Sequence, residues 1–361
     1  MTERRNPQAP EKEAVPRITS EWLRERLGRC GDVQIRQVIR HGNDAEETLH
    51  YTAAYSPGMV DFAYMQSLFG RDGSLDLDVK VNPLVQPVSP EEDGKQIFDL
   101  LFGGQIILLH EESGTVYSIS SPGQPTRAIE ESTLELSVKG QRDGFVEDIS
   151  VNLSLVRRRF RSPKMTAEWF TIGTDSQSRV CLLAVDGITA PEMLDEARRR
   201  LDRINIQALH GAGELEIAIA DRSLAIVPTI EYVGRPDYVV QSLMNGRFAI
   251  LVDGTPVALI APANISFLVK SPEDAYSPYY FASFERLLRL ISMLLAALLP
   301  GFWLALLAFN NDQVPFTLLA TVTVSRFGLP LSPQMELFVM MLMFEIFREA
   351  GIRLPAPSAR P

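Results

Sequence analysis

Three ionisable residues lie in or beside an apolar stretch near the end of the chain. Glu336 and Glu345 bracket the stretch Leu337–Phe344, and Arg348 follows three residues later. A charged side chain at membrane depth is costly unless it faces a partner or a water-filled cavity. These residues therefore predict a polar path through a membrane, with Arg348 close enough to pair with Glu345. The sequence leaves open a second interpretation, in which both glutamates lie at headgroup level on an interfacial helix.

Residues that usually bind metals or carry catalysis are few and scattered. The chain has four histidines and two cysteines, namely His41, His50, His110, His210, Cys30 and Cys181. Their spacing does not suit a zinc site, and two reduced thiols are expected. Gly103-Gly104 lacks the lysine that a phosphate-binding loop requires. We therefore predict no enzymatic activity, no cofactor and no metal, and the net charge of −10 argues against a nucleic-acid partner.

The predicted polar path requires a part of the chain that spans a membrane. Leu290–Phe309 contains no charged residue, and at 1.5 Å per residue such a helix spans about 30 Å, the thickness of a bilayer core. Pro300 is expected to kink this span without breaking it. The alternative is a buried helix in a large soluble core. Shorter apolar stretches follow within residues 314–347 and favour a re-entrant or hairpin arrangement.

Charge predicts the orientation of this span. Arg286 and Arg289 precede it, whereas Asn310, Asn311 and Asp312 follow it. The positive-inside rule then keeps the N-terminal head in the cytoplasm. No apolar signal segment occurs between Met1 and Pro16 to carry the head across the membrane.

Two stretches of the head have the same pattern. Residues 96–119 and 238–260 both read as helix, glycine, strand, turn and strand. Gly104 and Gly246 stand where a helix C-terminus is expected, and the second hairpin turn is Asp253-Gly254. The pattern predicts two related α/β subdomains.

A helix is predicted between them, over Gly144–Phe160. Phe145, Ile149, Leu153 and Val156 recur at three- and four-residue spacing and define its apolar face. Four arginines crowd its end, at positions 157, 158, 159 and 161. They fit either a solvated, dipole-matched C-terminus or a basic patch that faces carboxylates of another subunit or an anionic lipid surface.

Several motifs together resemble the A subunit of the GerA family of spore germination proteins. The segment 138–163 resembles the family's Gly-Pro-Arg-Glu-Gly-Phe signature and the Asn-x-x-Leu-x-Arg-x-Arg that follows it. In order along the chain come matches at 127–131, 235–237, 246–256, 271–276 and 344–355. Gln141 replaces the expected proline, and Val233-Gly234 replaces Thr-Glu before Arg235.

The resemblance implies a nutrient germinant receptor subunit in the spore inner membrane. It implies a homo-oligomer that acts with a transporter-like B subunit and a lipoprotein C subunit and contributes to nutrient-triggered ion release. Relatives continue into further membrane helices after the Arg-Leu-Pro motif, so a truncated relative or a fragment is expected. The competing hypothesis is a non-conducting, membrane-tethered scaffold that gathers partners.

The predicted architecture is an α/β (α+β) head of two subdomains followed by an α-helical transmembrane region. The predicted ranges are a disordered or polar tail at 1–29, subdomains at 30–135 and 165–270, a connecting basic helix at 136–164 and a membrane region at 285–355. The motifs supply candidate residues for a subunit interface: Arg127, Glu130, Arg142, Phe145, Glu147, Asn152, Arg157, Arg159, Arg235, Pro236, Asp237, Asp253 and Gly254. Pro236 and Asp237 are expected in the first turn of a helix.

Overall fold

The computed structural model of the chain forms two compact units, Met1–Tyr276 and Ser277–Pro361. The structure describes residues 18–41, 48–69, 74–75, 84–88, 94–120, 143–220, 229–264, 269–271, 274, 277–309, 313–325, 327 and 331–353. The predicted interface residues Arg127, Glu130 and Arg142 lie outside the described residues.

The first unit contains two five-stranded sheets. The first sheet comprises β1 (Gln34–His41), β2 (Thr48–Tyr55), β3 (Val85–Val88), β4 (Gln105–His110) and β5 (Val116–Ser120). The second comprises β6 (Met165–Ile172), β7 (Ser178–Val185), β8 (Glu231–Val233), β9 (Phe248–Val252) and β10 (Ala258–Ala261). Every neighbouring pair of strands is antiparallel, so the head has the α+β form of the predicted fold class.

The two sheets have the same topology. Their strand orders are β1-β2-β4-β5-β3 and β6-β7-β9-β10-β8. The helices of the first sheet are α1 (Ser20–Leu27), α2 (Phe62–Leu68) and α3 (Lys95–Leu101). Those of the second are α4 (Ile149–Arg159), α5 (Pro191–Arg203), α6 (Ala212–Ile219) and α7 (Pro236–Met244). The repeated pattern in the sequence therefore corresponds to a repeated arrangement of strands.

Both faces of each sheet are buried. In β7, Cys181 and Leu183 belong to the core under α4 and α7, whereas Val180 and Leu182 belong to the core under α5 and α6. Side chains alternate between the faces of a strand, so an uninterrupted apolar strand serves two cores. In β4, Ile107 packs towards α1 and α3, whereas Ile106 packs towards α2.

Glycines shape the turns that the sequence predicts. Gly114 and Gly254 follow β4 and β9 with φ of 69° and 80°, and Gly104 and Gly246 follow α3 and α7 with φ of 90° and 85°. These values lie in the left-handed region that glycine adopts without a Cβ clash. The turns therefore fix the hairpins in both sheets.

Two predicted boundaries are wrong. The range 1–29 is predicted as a disordered or polar tail, but it contains helix α1. This helix is ordered because Leu23 and Leu27 pack into a core of the first sheet. The predicted helix over Gly144–Phe160 begins only at Ile149, because Asp148 has extended backbone and caps the helix with its side chain.

The described residues of the second unit form three helices: α8 (Tyr279–Phe309), α9 (Phe316–Ser325) and α10 (Pro333–Arg353). Helix α8 begins before the predicted span and continues through Pro300. By length and composition it is able to cross a membrane. The predicted short segment at Leu337–Phe344 lies inside α10, which is one continuous helix of 21 residues. The two apolar stretches lie on separate helices, α9 and α10, in agreement with the predicted interruption between them.

Candidate functional site

Helix α4 joins the two sheets and contains several of the predicted site residues. Its apolar side chains Ile149, Leu153 and Val156 belong to the core of the second sheet. On another side, the Ser154 hydroxyl lies 2.9 Å from the carbonyl oxygen of Gly58, which follows β2 of the first sheet. The helix therefore contacts both sheets along its length.

Predicted interface residues near the start of α4 have partners within the chain. Asn152 is fully buried and exchanges two hydrogen bonds with the backbone of Val146, at 2.8 and 2.5 Å. Phe145 is also buried, and its backbone N–H donates to the carbonyl of Gly234. Arg159 forms an ion pair with Asp143. A subunit-interface role for these residues stays a prediction.

Arg157 is buried between the sheets, whereas both predicted alternatives, a solvated helix end and a basic surface patch, place it in contact with solvent or a partner. Its Nε and Nη2 donate to the two carboxylate oxygens of Asp32, at 2.8 and 2.5 Å. Its Nη1 donates to the carbonyls of Ser162 and Met165, both at 3.1 Å. The guanidinium also lies 4.4 Å from the ring centroid of Phe102. Burial acts to lower the pKa of Arg157, but the charge and hydrogen bonds of Asp32, together with Cys30, outweigh burial and raise the pKa, so the guanidinium remains charged.

Cys30 lies beside this pair and is not a reactive thiol. Burial raises its pKa to about 11, although Arg157 acts in the opposite direction. Its Sγ lies 3.5 Å from the carbonyl oxygens of Pro163 and Met165. At neutral pH the group is therefore a protonated, weak hydrogen-bond donor.

A cleft of about 250 Å³ opens between the sheets next to α4. Its polar lining includes Asp32, Gln34, Ser56, Ser150, Trp169 and Arg179. These residues come from the loop before β1, from β1 itself, from the loop after β2, from α4 and from two strands of the second sheet. The cleft is thus the place where the two repeats and their connecting helix meet.

Trp169 forms one wall of the cleft. Its indole Nε1 donates to the carbonyl of Gly31 at 3.0 Å, and the Gly31 N–H donates to the carbonyl of Ala167 at the same distance. A Cβ on Gly31 would collide with the Ala167 carbonyl oxygen and would lie 3.0 Å from the Trp169 ring. Glycine at this position allows the loop before β1 to approach β6.

Arg179 forms a second wall and is held by a predicted site residue. Its Nε and Nη2 donate to Oδ2 of Asp253, at 3.1 and 3.0 Å. The other oxygen, Oδ1, accepts the backbone N–H of Ile149 at 3.3 Å. Gly254 donates its N–H to the carbonyl of Glu147 at 2.8 Å. The β9–β10 turn, the start of α4 and Arg179 are therefore linked.

The second predicted motif lies away from the lining of this cleft. Arg235 is the N-cap of α7, Pro236 is at its start and Asp237 is in its first turn, as the sequence predicts. The Arg235 guanidinium is 1% exposed and pairs with both oxygens of Asp237, at 3.1 and 2.6 Å. A contact between Arg235 and another subunit would require this buried side chain to become accessible.

The ionisable residues of the second unit lie on α10. Glu336 is in its first turn, and Glu345 pairs with Arg348 as the spacing predicts. Both partners of the pair are exposed. Within the described parts of the chain, no group of three or more His, Cys, Asp or Glu side chains could hold a metal ion.

The sequence analysis missed Asp32, Trp169 and Arg179. Asp32 and Arg157 are separated by 125 residues, so no local spacing relates them. Trp169 is 38% exposed in β6, a property that only the structure shows. The glycines that bring these residues together have no distinguishing sequence pattern.

Comparison with known proteins gives consistent matches. The sequence model of the family "Bacillus/Clostridium GerA spore germination protein" matches residues 21–360. Spore germination protein XA of Bacillus anthracis is 39% identical over 266 residues, which are 74% of this chain and 54% of that protein. Spore germination protein KA of Bacillus subtilis (strain 168) is 30% identical over 342 residues, which are 92% of this chain and 62% of that protein.

Among solved structures, a match is the crystal structure of the N-terminal domain of the A subunit of the Bacillus megaterium spore germinant receptor GerK3. It is 28% identical to this chain, with a TM-score of 0.49, and the match covers 70% of this chain and 98% of that one. This chain thus spans between half and two thirds of the length of the two full relatives.

Proposed function

This chain belongs to the Bacillus/Clostridium GerA family of spore germination proteins, and we propose that it is a membrane-embedded subunit of a nutrient germinant receptor. The observation that carries the proposal is the cleft between the two sheets. With a volume of about 250 Å³ it lies just below the usual range of small-molecule pockets, and its mixed polar and aromatic lining suits a small polar ligand. In this proposal the head binds the nutrient and is not an enzyme.

The helix α8 supports attachment to a membrane. It is 31 residues long, and its apolar side chains, including Leu294, Leu298 and Phe302, are exposed. A helix that exposes apolar side chains around its circumference is suited to lipid. Arg286 and Arg289 near its start favour a cytoplasmic head under the positive-inside rule.

The orientation can be tested by labelling with a membrane-impermeant thiol reagent. Cys30 and Cys181 are buried, so their failure to react would be uninformative. We propose Ile217→Cys, because this side chain of α6 is 74% exposed. In intact cells, the new thiol is expected to react only after the membrane is permeabilised. Labelling without permeabilisation would contradict a cytoplasmic head.

We further propose that the subunit oligomerises and contributes to nutrient-triggered ion release together with a transporter-like B subunit and a lipoprotein C subunit. Glu336, Glu345 and Arg348 are the candidates for a polar path. The Glu345–Arg348 pair reduces the cost of placing each charge near hydrocarbon. A non-conducting scaffold would use the same pair only to stabilise α10.

Ion efflux from vesicles that contain the purified protein separates these two functions. For a conducting subunit, Glu345→Gln is expected to change cation efflux per protein molecule. For a scaffold, Glu345→Gln and Arg348→Gln should both lower protein abundance slightly and leave normalised efflux at the level of empty vesicles. That second result would contradict a conducting role.

A further inference from the structure

An exposed basic surface lies at the C-terminal end of α4. It consists of Arg29, Arg158, Arg161 and Lys164, all of which are exposed. We infer that this basic surface binds the anionic headgroups of the bilayer to which the proposed subunit is attached. The inference rests on the membrane attachment in the proposed function and is independent of the cleft and of ion release.

The positive charge of this region is only partly neutralised within the chain. The last turn of α4 and the loop after it carry five cationic side chains and no carboxylate. Two of these cations, Arg157 and Arg159, have carboxylate partners. The other three, Arg158, Arg161 and Lys164, form no ion pair with any residue that the structure describes. These three charges are therefore available to an external anion.

Arg29 joins the basic surface through Asp186. The Asp186 backbone N–H donates to the carbonyl of Lys164 at 2.8 Å, and its carboxylate lies 3.1 Å from Nη1 of Arg29. One carboxylate thus stands beside four cations, which leaves a local excess of three positive charges. The chain as a whole has a net charge of −10, so the basic surface contrasts with an acidic remainder.

The loop that carries the cations is restrained by hydrogen bonds. Nη1 of the buried Arg157 donates to the carbonyls of Ser162 and Met165, both at 3.1 Å. Nε of Arg161 donates to the carbonyl of Arg158 at 3.2 Å. A restrained loop loses less conformational entropy on binding than a flexible tail of the same charge. The buried guanidinium therefore supports the backbone whose outer side chains form the basic surface.

The chemistry of these cations suits phosphate groups. Arginine presents paired N–H donors that match the oxygens of a phosphate, and lysine adds a compact point charge. An anionic bilayer offers many such groups in one plane, so that several separate cations can each find a partner. Helix α8 supplies the proximity, because a tethered head meets the bilayer at an effective concentration of about millimolar. A contact that is weak for a free head is sufficient for an attached one.

The size of the charge excess sets the expected strength of the contact. Each Lys or Arg near an anionic bilayer strengthens binding about fivefold. An excess of three charges therefore favours the bound head roughly a hundredfold over a head without this surface. The acidic remainder of the chain is repelled by the same bilayer. The charge distribution thus selects one orientation of the head, with the end of α4 at the headgroups.

The test measures the reactivity of Lys164 in the full chain reconstituted into lipid nanodiscs. An amine-reactive reagent acetylates the lysines, and mass spectrometry gives the rates at Lys164 and at Lys95, an exposed residue at the start of α3 that serves as internal control. In discs with phosphatidylserine, the rate at Lys164 relative to Lys95 is expected to be about fivefold lower than in phosphatidylcholine discs. Salt at about 1 M shortens the Debye length to about 3 Å and should remove most of this difference. Equal relative rates in the two lipids would overturn the inference.

Two double variants connect the protection to the basic surface. Arg158→Gln with Arg161→Gln removes two cations near Lys164 and should restore most of its reactivity in phosphatidylserine discs. The matched control is Arg199→Gln with Arg203→Gln, which removes two exposed arginines from α5 and changes the net charge equally. The control should retain the protection. An equal loss of protection in both double variants would overturn the assignment to this surface.

Further conditions separate the anionic bilayer from other occupants. Protection by inorganic phosphate in phosphatidylcholine discs, equal to that by phosphatidylserine, would indicate a site for soluble anions and overturn the lipid assignment. Protection that grows with protein concentration whatever the lipid charge would indicate a second copy of the chain and would also overturn it. A chain that does not remain with the discs would contradict the proposed membrane attachment and this inference together. A chain that remains with the discs but shows no lipid effect contradicts this inference alone.

Discussion

The Arg157–Asp32 pair is a buried ionic link between the two sheets. Both side chains are removed from water, and the guanidinium donates to Asp32 and to the carbonyls of Ser162 and Met165 while its face lies over the Phe102 ring. A buried ion pair contributes little net stability compared with apolar residues, but removal of one partner leaves the other charge without compensation. The pair therefore specifies how the repeats join.

Asp32→Asn is expected to lower the free energy of unfolding by about 3–5 kcal/mol. Arg157→Met should cost a similar amount, and the double variant should lose less than the sum of the two. Asp186→Asn is the matched control, because the Arg29–Asp186 pair is largely exposed and should contribute at most about 1 kcal/mol. Denaturant titrations measure all four variants, and additive losses would contradict coupling.

Glu231 makes stability depend on pH. Burial raises the pKa of this carboxyl in the folded chain, and Arg247 offsets only part of the effect. A raised pKa in the folded state means that folding disfavours the ionised carboxyl. The protonated carboxyl therefore contributes to the stability of the fold at pH values below the unfolded-state pKa. This contribution is lost as pH rises through the folded-state pKa. We expect Glu231→Gln to raise the melting temperature at pH 7 and to have no such effect below the ordinary carboxyl pKa. A gain of equal size at both pH values would contradict this cause.

At the scale of elements, the close approach of the loop before β1 to β6 depends on Gly31. Gly31→Ala should destabilise the head by about 1–3 kcal/mol, because the new methyl collides with the Ala167 backbone and the Trp169 ring. Gly213→Ala is the control, since its Cβ would meet only the Tyr232 hydroxyl, at 3.5 Å, and alanine favours the helix α6. If thermal melting shows the same change in both variants, the steric explanation is wrong.

Local patterns in the sequence predict most of the elements. The alternation of Ile106, Ile107 and Leu108 between two cores, and the left-handed turn at Gly254, follow from rules that act over a few residues. The start of α7 at Pro236 is correct for the same reason. Asp148 caps α4, so the helix begins later than the apolar periodicity from Phe145 predicts.

The candidate site could not be predicted in the same way. Arg157 has the local appearance of a solvated cation at a helix end, and only Asp32, far away in the chain, makes its burial favourable. The sequence separation likewise hides the proximity of Trp169 to Gly31. The resemblance to the GerA family predicts a receptor subunit from the sequence, whereas the cleft is visible only in the structure.

For the whole molecule, the repeated sheets and the apolar helices suggest a division of tasks. The cleft lies where the two repeats meet, so a bound ligand would contact α4, the loops of the first sheet and two strands of the second. Arg179 connects this lining to the β9–β10 turn through Asp253. We expect a ligand that engages Arg179 to change how the repeats are held together, which is the change that the proposed receptor subunit would transmit.

The central claim is that nutrient binding in this cleft triggers the receptor. The most direct measurement is nutrient-induced germination of spores that carry Arg179→Ala, recorded as the fall in optical density and normalised to the amount of the protein. Arg199→Ala serves as the control. We predict that Arg179→Ala spores need about tenfold more nutrient or fail to respond, while control spores respond normally. An unchanged nutrient response of Arg179→Ala spores at normal protein level would contradict the claim.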